Sequence, residues 1–114
     1  MNNVVISGRL TATPELKKTP SNLSVVNFCV AVRKNKESAN FIDCVAWEKT
    51  ADLIKQYFKK GDFIEVSGIL QTRTFEQNGA KRKVTEVLAN QIGFGGGKNA
   101  ESEIVEIEEG ELPF

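Results

Sequence analysis

The chain has 114 residues, fifteen Lys or Arg against fifteen Asp or Glu, and no His. Without imidazole, Ser-His and Cys-His nucleophilic pairs, His-ligated zinc and imidazole acid-base catalysis are excluded within one chain. The zero net charge hides two unlike parts: residues 1–94 carry fourteen cations against nine acids, a basic surface suited to a polyanion, whereas residues 95–114 set Lys98 against six Glu.

In chain order, residues 4–10 are β-branched around Gly8 and read as a first strand. Thr13-Pro14 and Thr19-Pro20-Ser21-Asn22 are turn signals on either side of residues 15–18. In Ser24–Arg33, Val26, Phe28, Val30 and Val32 share one side and Asn27, Cys29, Ala31 and Arg33 the other, the pattern of a half-buried second strand. A polar connection over residues 34–40 leads to a third strand over 41–47. Residues 50–60 change period and predict a short helix that stops at Gly61, its Leu53, Ile54, Tyr57 and Phe58 on one face, with Tyr57 and Phe58 assigned to core packing. Residues 63–75 and 81–92 are two long strands joined through Glu76-Gln77-Asn78-Gly79-Ala80, whose Asn-Gly signals a hairpin. Gly95-Gly96-Gly97-Lys98 lacks a phosphate loop's first Gly (position 92 is Ile), and Asn99 stands where such a loop needs Ser or Thr, so it reads as a flexible linker.

Three strands, a helix and two strands is the order of an all-β, five-stranded Greek-key OB-fold barrel with one short helix between strands 3 and 4. The expected organisation is one domain over residues 1–94 and a disordered acidic tail over 95–114. No apolar stretch approaches the roughly 20 residues of a membrane span, and the Met1-Asn2-Asn3 start lacks signal-peptide features. A cytoplasmic protein with no membrane association is expected. Cys29 and Cys44 are too far apart for a CxxC site and read as reduced, buried thiols. No metal, no cofactor and no enzymatic activity are expected.

Strand parity locates the chemistry. In the third strand Ile42, Cys44 and Ala46 point one way and Phe41, Asp43, Val45 and Trp47 the other. With the aliphatic set inward, both aromatics lie outside. In the fourth strand the same test turns Ile64, Val66, Gly68 and Leu70 inward and sets Arg73 and Phe75 on the opposite face. Phe41 and Trp47, about 20 Å apart along the strand, are separate stacking platforms, and Arg9, Arg33, Lys34, Lys49, Arg73, Lys81, Arg82 and Lys83 are candidate phosphate contacts. Aromatics interleaved with cations suit a single-stranded nucleic acid. Asp43 works against phosphate locally. Two bland readings stay open: the aromatics fill a subunit contact or pack under a loop, and the cations are a solvated hairpin.

Asn3 to Leu10 (NVVISGRL), Thr13 to Leu16 (TPEL), Phe41 to Trp47 (FIDCVAW), Lys59-Lys60-Gly61, Gly68 to Arg73 (GILQTR) and the terminal Glu111-Leu112-Pro113-Phe114 together resemble the bacterial and phage single-stranded DNA-binding proteins, across essentially the whole chain. The resemblance implies an OB fold, usually a homotetramer, that wraps single-stranded DNA without sequence preference during replication, recombination and repair. It implies that Phe41, Trp47 and Phe75 stack on bases and that Arg9, Arg33, Lys49 and Arg73 contact the backbone. It also implies that Glu111, Leu112, Pro113 and Phe114 dock replication, recombination and repair proteins.

Overall fold

The computed structural model describes residues 1–94. The expected linker and acidic tail over residues 95–114, with the docking residues Glu111, Leu112, Pro113 and Phe114, lie outside the described residues. The elements are β1 (Val4–Leu10), β2 (Glu15–Lys18), β3 (Ser24–Arg33), β4 (Ala39–Trp47), α1 (Glu48–Tyr57), β5 (Phe63–Gln77) and β6 (Ala80–Gly93).

Five strands close in the order β1-β5-β6-β4-β3, and β1 completes the ring by pairing with β3. Two seams are short. β1 meets β3 through Arg9↔Ala31 and Leu10↔Val30, and β4 runs parallel to β6 through Cys44↔Val87 and Val45↔Leu88. The remaining contacts are long antiparallel ladders. This is the expected five-stranded barrel, with its helix between the third and fourth barrel strands.

The barrel closes because alternation sends one set of side chains inward. Val26, Phe28 and Val30 from β3, Cys44 and Ala46 from β4, Ile64 and Val66 from β5, and Val87, Ala89 and Ile92 from β6 form one buried cluster, each of the larger aliphatics stabilising the fold by about 1.5–3 kcal/mol on burial. The change from odd to even between Ala89 and Ile92 follows from a bulge: Gly68 pairs with Ala89 and Ser67 with Gln91, which leaves Asn90 unpaired. α1 covers one end of the barrel with Ala51 and Ile54, and Phe58 just beyond it is buried against the Phe94 ring, centroids 4.5 Å apart.

Several expectations need correction. Residues 15–18 form a strand, β2, paired with β3 through Leu16↔Val26; its two flanking turns masked a four-residue segment with little β propensity. The helix spans Glu48–Tyr57 rather than residues 50–60, because Phe58 is already extended and its N–H closes the last turn onto Ile54 O at 3.0 Å. Tyr57 is exposed, touching Phe94 only edge-on at 5.5 Å, so of the pair assigned to the core only Phe58 belongs to it. Leu70 is 46% exposed instead of inward-buried. The pairing of β1 with β5 ends at Val4↔Gly68, so Leu70 lacks a β1 neighbour, and past Leu70↔Val87, where β4 makes its last pairing with β6, β5 and β6 run on as a two-stranded ribbon. The ribbon turns at Asn78 (φ 53°) and Gly79 (φ 79°), two consecutive left-handed residues that the Asn-Gly signal foretold.

Candidate nucleic-acid interface

The register of the central strands lays out an outer face residue by residue. Across β3 and β4 the facing pairs are Ala31↔Phe41, Cys29↔Asp43, Asn27↔Val45 and Val25↔Trp47. Directly opposed residues share a face of the sheet, so the parity argument for Phe41, Asp43 and Trp47 holds. Phe41 is 67% exposed and Trp47 40%. Val45, on the same side, is buried outside the main cluster.

At one end of this face, an open cleft of about 970 Å³ brings Arg9, Arg33 and Phe41 together. The β1–β3 seam and the β1–β5 ladder place Phe63, Arg9, Ala31 and Phe41 in one row across four strands. The Arg9 guanidinium is braced twice: its carbon lies 5.5 Å from the centre of the Phe63 ring, and Nη1 donates to Gly61 O at 3.1 Å. Gly61 O is held in turn because Gly61 N–H donates to Leu10 O at 2.9 Å and Leu10 N–H to Asp62 O at 3.0 Å. Ala31 leaves a shallow step between Arg9 and Phe41. Lys36 and Glu37, from the short β3–β4 connection, complete the rim. Lys34 is exposed in that connection, its N–H donating to Ser38 O at 3.0 Å.

A second cleft, of about 600 Å³, opens at the Cys29–Asp43 step. Asn27, Cys29 and Asp43 line one wall, the 11–14 loop a second, and Arg73, Phe75, Val84 and Glu86 the flank supplied by the ribbon. Phe75 is 39% exposed, and the Arg73 guanidinium carbon lies 5.8 Å from its ring centre. Glu86 is buried at 4% exposure, its carboxylate accepting from Gln71 Nε2 at 2.8 Å and Arg73 Nε at 2.9 Å.

The remaining expected residues lie elsewhere. Trp47 and Lys49 are at the β4–α1 corner and line neither cleft. Lys81, Arg82 and Lys83 are exposed on β6 but do not share a face: Arg82 is opposite Phe75, while Lys81 and Lys83 are opposite Glu76 and Thr74 on the other side of the ribbon. The outer face therefore carries two clefts and a Trp corner, and the ribbon adds a second face. Phe63 and Glu86 are site residues that the sequence reading missed. Parity finds both, since Phe63 precedes inward Ile64, and Glu86 alternates with inward Val87.

The two cysteines confront opposite sides of the sheet. Cys29 is half-buried in the second cleft, whereas Cys44 belongs to the core, where burial pushes its thiol up to about 12, with Cys29, Asp43 and Glu86 adding to the shift. Among the described residues no group of three or more His, Cys, Asp or Glu could hold a metal ion. No helix there is long and apolar enough to cross a membrane.

Comparison with known proteins points the same way. The model of the single-strand binding protein family matches residues 1–95. A single-stranded DNA-binding protein of Halalkalibacterium halodurans is 42% identical over 101 residues, 82% of this chain and 60% of that protein. One of Bacillus cereus is 43% identical over 82% of this chain and 59% of its own length. Single-stranded DNA-binding protein 1 of Streptococcus pyogenes is 43% identical over 81% and 76%. The chain thus spans about three fifths of the length of the first two relatives. Among solved structures, a deletion mutant of the single-stranded DNA binding protein from Thermus aquaticus superposes with a TM-score of 0.71 at 30% identity, over 86% of this chain and 42% of that one.

Proposed function

The chain belongs to the single-strand binding protein family, a family of binding proteins rather than enzymes, and on that premise we propose that it binds single-stranded DNA without sequence preference along its outer β3–β4 face. The observation that carries the reading is the row Phe63, Arg9, Ala31, Phe41, an exposed aromatic and a braced cation on one level of the sheet. Stacking contributes roughly 1–3 kcal/mol per base and tolerates any base. Phe41, Phe75 and Trp47 are the stacking residues of the proposal. Arg9, Arg33, Lys34, Lys49, Lys81, Arg82 and Lys83 are its phosphate contacts.

A dT oligonucleotide should bind tightly, quench Trp47 fluorescence, and lose log affinity against log salt at about −0.7 per neutralised phosphate. Binding to duplex only, or no binding at low salt, would sink the proposal. Competition with RNA of equal length tests whether RNA shares the face.

The wider role follows as a proposal too: protection of single strands in the cytoplasm during replication, recombination and repair, with partner proteins recruited through Glu111, Leu112, Pro113 and Phe114. Its support is the acidic run of residues 103–114 behind a basic domain. Deleting residues 111–114 should abolish partner capture and leave DNA affinity equal or slightly higher. A homotetramer is proposed on the same footing. Among the described residues, the edge of β1 away from β5 has no strand partner at residues 4–8, and Val5 is exposed beside it, which favours contact between copies. Native mass measurement with and without oligonucleotide reads subunit number and stoichiometry together.

A further inference from the structure

Arg73 differs from every other cation of the described residues: it alone has an ion pair. Its Nε lies 2.9 Å from Glu86 Oε2 and its Nη2 3.5 Å from Oε1, while Gln71 Nε2 donates to Oε2 at 2.8 Å. The Glu86 side chain is 3% exposed and that of Arg73 52%. A carboxylate withdrawn from water needs a counter-charge and hydrogen-bond donors. Arg73 and Gln71 supply them, through the register that sets Gln71 opposite Glu86 and Arg73 two pairs further out, on the same face.

Two consequences follow from this geometry. The positive charge of Arg73 is already engaged from below, and Asp43 adds a second carboxylate to the same cleft. One cation therefore faces two acids there, whereas Arg9, Arg33 and Lys36 face only Glu37 in the other cleft. Second, a guanidinium held along its Nε edge has a fixed plane, which here lies beside the Phe75 ring. Guanidinium planes stack on unpaired bases as aromatic rings do.

We propose that Glu86 is a positioning residue that withdraws Arg73 from the phosphate contacts and presents it, with Phe75, as a stacking platform, so that this cleft receives a base without engaging phosphate through Arg73, whereas the Arg9 cleft holds phosphate beside the base on Phe41. The inference rests on the single-strand reading above and reverses the backbone role that the sequence resemblance implied for Arg73.

Salt titrations of dT-oligonucleotide binding test it, with slopes compared among wild type, R9M, E86Q and R73M/E86Q. The double variant removes both charges and so strands none. R9M should flatten the log-log slope by about 0.7. R73M/E86Q should weaken binding roughly tenfold, as a lost stacking contact does, at unchanged slope. E86Q should steepen the slope by about 0.7, because it releases the Arg73 charge. A flattening in R73M/E86Q equal to that of R9M, or an unchanged slope in E86Q, overturns the proposal. Failure of the wild type to bind at low salt overturns the single-strand reading itself, and this proposal with it.

Discussion

Substituting Gly8→Ala tests whether the barrel seam and the cleft share a foundation. A Cβ built on Gly8 would sit 2.2 Å from the carbonyl oxygen of Ala31, 2.8 Å from its carbon and 3.0 Å from Val30 Cγ1. Ordinary contact begins near 3.4 Å, so the β3 backbone must retreat by roughly 1 Å, and backbone yields less readily than a side-chain end. Overpacking of this kind costs about 1–3 kcal/mol. The seam beside it consists of only two residue pairs and the Thr11 N–H bond to Cys29 O at 3.1 Å, and losing one such bond adds about 1 kcal/mol. A total of about 3 kcal/mol is a large part of the ~5–15 kcal/mol that holds a domain together. It corresponds to a fall in Tm of roughly 15 °C. Gly61→Ala is the control: nothing lies within 4 Å of its Cβ, and only its φ of +88° opposes a side chain, a cost of about 1–2 kcal/mol. Urea melts of both variants measure the difference. Because Gly8 precedes Arg9, the same substitution should weaken dT binding under conditions where the variant is still folded. A Gly8→Ala protein less destabilised than Gly61→Ala would refute the reasoning.

Other perturbations separate the face from the core. Phe41→Ala and Phe75→Ala should each weaken oligonucleotide binding by about 1–3 kcal/mol with little change in urea midpoint, whereas Phe58→Ala should cost about 3–5 kcal/mol of stability; calorimetric titration beside a melt distinguishes them. Cys44 gives a pH dependence. Its thiol rises from the ordinary 9.0 to about 12 in the fold, so stability is full below pH 9. Above that the unfolded chain loses a proton that the native thiol keeps, and stability declines by about 1.4 kcal/mol per pH unit until the native thiol also ionises near pH 12. Subtracting the stability of Cys44→Ala from wild type at pH 8 to 11 isolates this contribution. Parallel curves would exclude it.

Legibility in the sequence followed the locality of the physics. Alternation in Ser24–Arg33 and around Phe41 and Trp47 gave the correct faces because β3 and β4 pair along the whole of β4 and both have an inside to point into. Asn78-Gly79 announced its turn because its two left-handed dihedrals are a property of two adjacent residues. The misreadings arose where a partner distant in sequence decides the outcome. Leu70 alternates correctly with Val66 and Gly68, yet nothing in its own strand records that β1 stops pairing at Gly68. Glu15–Lys18 becomes a strand only because β3 offers an edge. The Arg73–Glu86 pair joins residues 13 apart through the register of β5 on β6, so a surface cation in the sequence became a braced one in the fold.

On the proposed single-strand reading, the two-stranded ribbon that carries Phe75 sets how much strand one chain can cover. Alternation gives it no inert side: Arg73, Phe75 and Arg82 occupy one face, Lys81 and Lys83 the other. A polynucleotide anchored at Phe75 and turning round the Asn78-Gly79 tip meets cations again on the far face, so the ribbon is a post to be rounded rather than a wall to lie against. Occluded length then scales with the height of the post and not with the girth of the barrel. Trimming it by paired residues, which preserves both faces, should then shorten the footprint in steps, as titration of dT oligonucleotides of graded length would read.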